Sequence, residues 1–143
     1  MTSLVIDANI CLALLLPLPY SADVDNKIRY WFQNRVRLLA PALWEYEVVS
    51  GLRRAEYHKI ISHENAQLAL TSVRDLHVEI YPPTFRVHLQ ALEFSQRLGQ
   101  TKCYDAQYLA LASEAGVELW TADQRLVNQC QGIGIDWVHW VGE

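Results

Sequence analysis

Short apolar segments alternate with longer segments of helical periodicity along the chain. The short segments are rich in branched residues and end near Asp, Pro or other polar residues, which is typical of buried strands. They predict strands at residues 3–6, 37–40, 77–81, 117–120 and 135–138. The longer segments predict helices at residues 9–16, 22–34, 42–59, 62–76, 84–98, 104–115 and 124–129. Strands that alternate with helices favour a parallel sheet that is covered by helices on both faces.

Serine and glycine residues mark several of the predicted helix ends. Ser21 and Ser62 stand where an N-cap side chain accepts hydrogen bonds from the first free backbone N–H groups. Gly99 and Gly116 stand directly after two helices, where a left-handed C-cap residue is expected. No Gly/Ser-rich linker or internal repeat divides the 143 residues, so we expect one domain over residues 1–143.

Composition and charge limit the possible functions. Hydrophobic residues make up 51% of the chain and charged residues 20%, which argues against intrinsic disorder. The net charge of −4 excludes a globally basic nucleic-acid-binding protein, but not a local basic surface. Seven of the 12 Lys and Arg residues fall in one stretch: Lys27, Arg29, Arg35, Arg37, Arg53, Arg54 and Lys59. These charges fit either a rim that guides a polyanion or ordinary solvated helix surfaces.

The apolar run at residues 10–16 is too short for a membrane span, which needs roughly 20 apolar residues. Asp7 and Asn9 precede the run and no Lys or Arg does, which is unlike a signal peptide. We therefore expect a cytoplasmic protein without a targeting segment or membrane anchor.

Two acidic residues follow predicted strands at the edge where α/β proteins bind ligands. That edge lies outside the carboxyl ends of the strands. Asp7 comes directly after the first strand, and Asp123 lies just past the fourth strand, two residues after Thr121. Each acid also suits an Asx turn or a helix N-cap, so neither position alone identifies a site.

Two further acidic residues lie on apolar faces of predicted helices. Asp105 shares one helical face with Tyr108 and Leu109, at spacings i, i+3 and i+4. Glu47 lies among apolar neighbours in the middle of its helix, and burial of a lone carboxylate costs several kcal/mol. The alternatives are stabilisation by the helix dipole for Asp105 and a solvated helix face for Glu47.

The coincidence of the acidic positions favours a divalent cation. Ionised carboxylates a few Å apart raise each other's pKa unless positive charge compensates them. The five His residues form no H-x-x-x-H or H-E-x-x-H pair and the three Cys residues form no C-x-x-C pair, which argues against a zinc site. Oxygen ligands alone favour Mg²⁺ or Mn²⁺, which also bind phosphate oxygens and lower the pKa of a bound water.

Four segments resemble, in order, the motifs of PIN domains, specifically those of the VapC type of toxin ribonuclease from toxin-antitoxin systems. The segments are Val5-Ile6-Asp7-Ala8-Asn9, Pro41 to Val48 with the pattern P-x-L-W-x-x-E-V, Tyr104 to Ala112, and Leu119-Trp120-Thr121-Ala122-Asp123. The second segment selects Glu47 rather than Glu45 as the family's acidic position. The resemblance runs over essentially the whole chain.

The resemblance implies a Rossmann-like PIN fold, an α/β/α sandwich with a mostly parallel sheet of about five strands. It implies that Asp7, Glu47, Asp105 and Asp123 are catalytic and bind Mg²⁺ or Mn²⁺, with Asn9 and Thr121 supporting the geometry of the site. It also implies metal-dependent endonucleolytic hydrolysis of RNA by the toxin of a type II toxin-antitoxin system. The partners it implies are a second copy of the chain and a small antitoxin that blocks the site.

Other functions remain open at the level of sequence. A catalytically silent PIN-like module that binds RNA or a protein partner would share the fold. A phosphoryl-transfer fold also begins with an Asp after its first strand. However, a dehalogenase-like phosphatase would have a second Asp where Asn9 stands, and a response-regulator receiver would have a Lys where the nearest basic residue is Arg125. Both differences count against the phosphoryl-transfer folds.

The tryptophans admit two interpretations. They suit either a dimer or antitoxin surface or, more simply, buried packing. The residues concerned are Trp31, Trp44, Trp137 and Trp140.

Overall fold

The computed structural model describes residues 2–143, and Met1 lies outside the described residues. Five short strands within this range form one sheet. The strands are β1 (Ser3–Ile6), β2 (Arg37–Pro41), β3 (Glu79–Tyr81), β4 (Glu118–Thr121) and β5 (Val138–Trp140). Every neighbouring pair is parallel, so the sheet that was expected to be mostly parallel is parallel throughout.

Seven α-helices within residues 2–143 connect the strands. They are α1 (Ala8–Leu15), α2 (Ser21–Gln33), α3 (Leu43–Tyr57), α4 (His63–Val73), α5 (Phe85–Leu98), α6 (Tyr104–Ala115) and α7 (Gln124–Gly132). The right-handed crossover rule for parallel strands predicts α1 to α4 on one face of the sheet and α5 to α7 on the other. The contacts agree with this division, since α1 packs on α3, α5 packs on α6, and α6 packs across β1, β2 and β4. None of these helices is both long enough and apolar enough to cross a membrane.

The strand order β3-β2-β1-β4-β5 places the first strand at the centre of the sheet. The chain moves from β1 to β2 on one side and later adds β4 on the other side, so a topological switch point lies between β1 and β4. The register pairs Ile6 with Trp120, which brings the carboxyl ends of both strands together. A receiver domain has the strand order 2-1-3-4-5, so the observed order excludes that interpretation.

The burial of β1 follows from its central position. Val5 and Ile6 are fully buried, because helices cover both faces of the strand. Trp31 and Trp44 are buried as well, which confirms the packing interpretation for these two residues. Trp137 and Trp140 are partly buried and pack against the same core.

Three of the predicted helix caps are present. The Ser62 hydroxyl accepts a hydrogen bond from the Asn65 N–H at 3.0 Å at the start of α4. Gly99 and Gly116 are the C-cap residues of α5 and α6, and both have a φ of 67°. A residue with a side chain rarely adopts this left-handed conformation, so the two glycines end their helices.

The prediction that Ser21 caps α2 is wrong. Tyr20 holds the N-cap position, and Ser21 is the first residue of the helix. The Ser21 hydroxyl accepts a hydrogen bond from the Leu18 N–H at 3.0 Å and donates one to the Leu16 carbonyl at 2.9 Å. It therefore closes the turn before the helix, because serine hydroxyls also bond to nearby backbone groups outside helices.

The last strand begins later than the predicted range of 135–138, since β5 runs from Val138 to Trp140. The Ile135 N–H donates to the Cys130 carbonyl at 2.9 Å, and Gly134 has a φ of 84°. These residues close the end of α7 rather than pair with β4. A short apolar run does not distinguish a helix closure from a buried strand, which explains the shift.

Candidate active site

Asp7 lies at the carboxyl end of β1, at the switch point of the sheet. It is the N-cap of α1, and its Oδ1 accepts a hydrogen bond from the Ile10 N–H at 3.0 Å. Its Oδ2 accepts a hydrogen bond from the Thr121 hydroxyl at the end of β4. Burial raises the pKa of Asp7 to about 6 despite these bonds, and the charge of Asp105 adds to the rise. Asp7 is therefore both a helix cap and a carboxylate whose charge is poorly compensated.

Thr121 connects the ends of the two central strands. It is fully buried, and its hydroxyl donates to Asp7 and accepts a hydrogen bond from the Asp123 N–H at 2.9 Å. Asp123 is the N-cap of α7, where its Oδ1 accepts a hydrogen bond from the Arg125 N–H at 3.0 Å. The Thr121 hydroxyl thus connects the first and the fourth acidic residues through hydrogen bonds.

Glu47 lies in the second turn of α3 and is partly buried, whereas Glu45 is exposed. The Tyr108 hydroxyl of α6 donates a hydrogen bond to Glu47 Oε1 at 2.5 Å. Tyr108 is only 3% exposed, so its hydroxyl is shielded from water and has the Glu47 carboxylate as its hydrogen-bond acceptor. Burial raises the pKa of Glu47, the Tyr108 hydrogen bond lowers it in part, and the charge of Asp105 raises it further.

Asp105 lies in the first turn of α6 and is partly buried. The Gln100 side-chain amide donates a hydrogen bond to its Oδ2 at 3.3 Å. Burial raises the pKa of Asp105, and the nearby charge of Asp123 raises it further. The Gln100 hydrogen bond and the charge of Arg125 act in the opposite direction.

The structure brings three of the predicted acids to one cavity of about 170 Å³, which Asp7, Glu47 and Asp105 line together. Asp123 does not line this cavity, but it is close enough to Asp105 to raise the pKa of that carboxyl. Asn9 lines the cavity as an exposed residue. No three Asp, Glu, His or Cys side chains in residues 2–143 form a group with metal-binding geometry. The acids are therefore electrostatically coupled without surrounding a common point.

Two contacts place Glu47 beside Asp7. Gly51 lies one turn after Glu47 on α3, and a Cβ added at Gly51 would stand 2.4 Å from Leu12 Cδ1 of α1. The missing side chain therefore allows α1 and α3 to approach closely. At the start of α3, the Trp44 indole Nε1 donates a hydrogen bond to the Asp7 carbonyl at 3.2 Å and fixes the end of β1.

Tyr108 and Gln100 contact the acids but are not among the residues predicted for the site. The sequence does contain a signal for Tyr108, because it lies one turn after Asp105 on the apolar face and a buried Tyr hydroxyl usually has a partner. Gln100 lies in the loop before α6, where no local pattern distinguishes it from a solvent-exposed glutamine. Its role depends on the loop conformation alone.

A comparison with known families matches residues 4–130 to the PIN domain. The matched segment contains the four acidic residues and runs from within β1 into α7. This chain belongs to the PIN domain family. Membership excludes the dehalogenase-like phosphatase, which the residue at position 9 already disfavours.

Curated relatives of this PIN domain are of the VapC type. Ribonuclease VapC12 of Mycobacterium tuberculosis is 29% identical over 129 residues, which cover 87% of this chain and 90% of the relative. Ribonuclease VapC9 of the same organism is 32% identical over 132 residues, which cover 90% of this chain and 91% of that relative. A chain of a toxin-antitoxin complex from Klebsiella pneumoniae has a TM-score of 0.63 at 20% identity, with 94% of both chains covered. At that identity the likeness shows the fold.

Proposed function

We propose that this PIN domain is the toxin of a type II toxin-antitoxin system and hydrolyses RNA phosphodiester bonds as an endoribonuclease. The placement of Asp7, Glu47 and Asp105 along one cavity at the carboxyl edge of the sheet carries the proposal. A cluster of carboxylates suits cation-assisted hydrolysis of a phosphate ester. The ribonuclease names of the VapC relatives support the same reaction.

The proposed cofactor is Mg²⁺ or Mn²⁺, held by Asp7, Glu47, Asp105 and Asp123. Burial and mutual repulsion raise the pKa values of Asp7, Glu47 and Asp105, so their charges lack compensation. Among the described residues, the wall of their cavity contains no His or Cys, and oxygen donors are the ligands these ions prefer. The donor set therefore suits the ion. When bound, the ion supplies positive charge that stabilises the charge developing on a phosphodiester.

Neutral hydrogen-bond donors hold three of these carboxylates in place. The donor and acceptor pairs are Thr121 to Asp7, Tyr108 to Glu47 and Gln100 to Asp105. Each donor fixes the orientation of a carboxylate without neutralising it, so the negative charge stays available to a cation.

Cleavage of a total-RNA pool by the purified protein tests the proposal. We expect discrete fragments with Mg²⁺ or Mn²⁺, no cleavage with EDTA, and no cleavage by the Asp105→Asn variant. Glu47→Gln and Glu45→Gln form a matched pair on one helix, and only Glu47→Gln should lose activity, because Glu45 is exposed away from the cavity. Full activity of Asp105→Asn or Glu47→Gln would contradict the proposal.

A catalytically silent PIN-like module that binds RNA or a protein partner is the alternative function. The observation that favours it is that no group in residues 2–143 has metal-binding geometry before a metal is added. All four acidic residues of the family motifs are present in the sequence, which favours the enzyme instead. If a folded preparation without antitoxin leaves total RNA intact with both metals, the silent module replaces the enzyme.

A small antitoxin is the proposed protein partner. An apolar groove of about 290 Å³ between α3, α4 and β3 offers a docking surface, with Val48, Leu70 and Ile80 in its wall. The toxin-antitoxin complex among the structural neighbours supports such a partner. The antitoxin should suppress the RNA cleavage of the isolated chain when it is added in equal amount.

A homodimer is the proposed assembly. Phe85, Leu89 and Leu92 form a stripe on α5 at spacings i, i+4 and i+7, and they are 78%, 52% and 62% exposed. Three large apolar side chains on one exposed helix face are typical of a surface that is covered in an assembly.

A further inference from the structure

Basic side chains from three separate segments lie at or beside the acidic cavity. Arg54 of α3 lines the cavity of the three acids. Lys102, in the loop before α6, lines an adjoining cavity of about 500 Å³ together with Glu47 and Asp105. Arg125 of α7 lies beside the fourth acidic residue, with its Nε 3.8 Å from Asp123 Oδ1. We call Arg54, Lys102 and Arg125 the basic rim.

The basic rim is accessible to a ligand. Arg54 and Lys102 are exposed, and neither has an ion-pair partner among residues 2–143. The Arg125 side chain is 89% exposed, and its Nε is 3.8 Å from Asp123 Oδ1, which is a long contact for an ion pair. Exposed ion pairs contribute little, so this contact leaves the guanidinium available.

The basic stretch at residues 27–59 does not form the rim. Of its seven Lys and Arg residues, all of which are described, Arg54 alone lines the acidic cavity. Arg37, for example, donates to Glu79 at 2.7 Å on the edge strand β3. Lys102 and Arg125 come from outside the stretch, so tertiary structure and not sequence clustering brings the rim together.

We infer that the basic rim holds backbone phosphates of an RNA strand beside the acidic cavity. This inference rests on the proposed function, since RNA is the substrate proposed above. A chain with a net charge of −4 does not attract a polyanion as a whole. Positively charged side chains beside the site must therefore supply the attraction. Arg and Lys contacts to phosphates position the strand without reading its bases.

Binding of a fluorescein-labelled oligouridylate, followed by anisotropy as salt is varied, tests the inference. The Asp105→Asn background with Mg²⁺ present prevents cleavage during the titration. Arg54→Gln and Lys102→Gln should each weaken binding several-fold. Each should also make the negative slope of log association constant against log salt concentration shallower by about 0.7, the value for one phosphate contact on a single strand. The same substitutions should weaken the binding of a labelled oligodeoxythymidylate by the same factor, because RNA and DNA strands share the phosphate backbone.

Arg53→Gln is the matched control, because it removes the same charge from the neighbouring position of α3. Arg53 pairs with Glu56 at 2.6 Å and does not line the acidic cavity. Its oligouridylate binding and salt slope should equal those of the background, while Arg54→Lys should restore most of the salt slope that Arg54→Gln loses.

The inference is overturned if Arg54→Gln and Lys102→Gln bind like Arg53→Gln, or if the background protein does not bind the oligonucleotide at low salt. Its failure is distinguishable from failure of the proposed function. If the wild-type chain cleaves RNA but the rim substitutions do not change oligonucleotide binding, only the inference about the rim is wrong. If the rim substitutions weaken binding but the wild-type chain does not cleave RNA, only the proposed ribonuclease activity is wrong.

Discussion

Neutral donors, and not cations, hold the acidic side chains that line the cavity. Thr121 and Tyr108 donate hydrogen bonds to Asp7 and Glu47, yet burial still raises the pKa of both acids. A hydrogen bond from a neutral group offsets only part of the cost of burying a charge. The ionised carboxylates therefore destabilise the folded state, and two single substitutions test this balance.

Asp7→Asn should stabilise the metal-free protein at neutral pH. Folding raises the Asp7 pKa from 3.8 to about 6, so the folded state binds the proton more tightly than the unfolded state. Stability therefore falls as the pH rises through this window, and the loss of about 1–3 kcal/mol persists above it. Asparagine carries no charge and avoids the loss.

Urea unfolding in EDTA, at pH values below and above the window, measures this effect. The wild-type protein should lose stability across the window and the Asp7→Asn variant should lose less. Equal pH dependence of the two proteins would show that Asp7 ionises without cost in the folded state.

Tyr108→Phe should weaken the binding of Mn²⁺ by about tenfold, the lower end of the effect expected when a hydrogen bond to a metal ligand is removed. The ring stays, so packing is preserved, while Glu47 loses the donor that orients it and lowers its pKa. Calorimetric titration with Mn²⁺ measures the affinity. In a Glu47→Gln background the same substitution should have little further effect, because both changes act on one ligand. Unchanged affinity in Tyr108→Phe would remove Tyr108 from the site.

The contact between α1 and α3 sets the position of Glu47 at the scale of elements. α1 begins at Asp7 and α3 carries Glu47, so the distance between these helices fixes the distance between two acids. Gly51 determines how closely the helices approach, because a side chain at this position would meet Leu12. A glycine in the middle of a helix normally lowers its stability, so its presence here has a packing reason.

Gly51→Ala should destabilise the protein by about 1–3 kcal/mol, the usual cost of overpacking. An exposed helical glycine would instead gain about 1 kcal/mol on replacement by alanine. Gly132→Ala in α7 is the matched control, because a Cβ at Gly132 has no neighbour within 4 Å. Urea unfolding compares the two variants. If Gly51→Ala is as stable as Gly132→Ala, the close approach of α1 and α3 does not depend on the glycine.

Exposed surfaces govern assembly at the scale of the whole molecule. The apolar stripe of α5 lies apart from the acidic cavity, and the basic rim lies at or beside that cavity. The proposed RNA contacts and the proposed homodimer therefore use different surfaces of the molecule.

Leu89→Glu should convert the proposed homodimer to a monomer, because a charge at the centre of an apolar interface loses its hydration on association. Light scattering during size-exclusion chromatography should give a mass near the 16.4 kDa of one chain for the variant and about twice that mass for the wild type. Leu68→Glu on α4, at a position that is 60% exposed, should leave the dimer intact. A wild-type protein that is already monomeric would rule out the homodimer.

Several features follow from the sequence alone, because they depend on local periodicity and local chemistry. The alternation of strands and helices determined the parallel α/β architecture. The positions of Asp7 and Asp123 after β1 and β4 determined that these acids lie at the ligand-binding edge, since the carboxyl ends of parallel strands share one edge. The apolar neighbours of Asp105 and Glu47 indicated acids on partly buried helix faces, which is how the structure has them.

The tertiary structure alone decided which side chains meet, because contacts between distant segments depend on how elements pack. The Tyr108 bond to Glu47 joins α6 to α3, and the basic rim combines residues from α3, a loop and α7. Of the positive charges that cluster in sequence between residues 27 and 59, only Arg54 lines the acidic cavity, since helices point successive side chains in different directions. Sequence determined the kinds of groups at the site, and packing decided their partners.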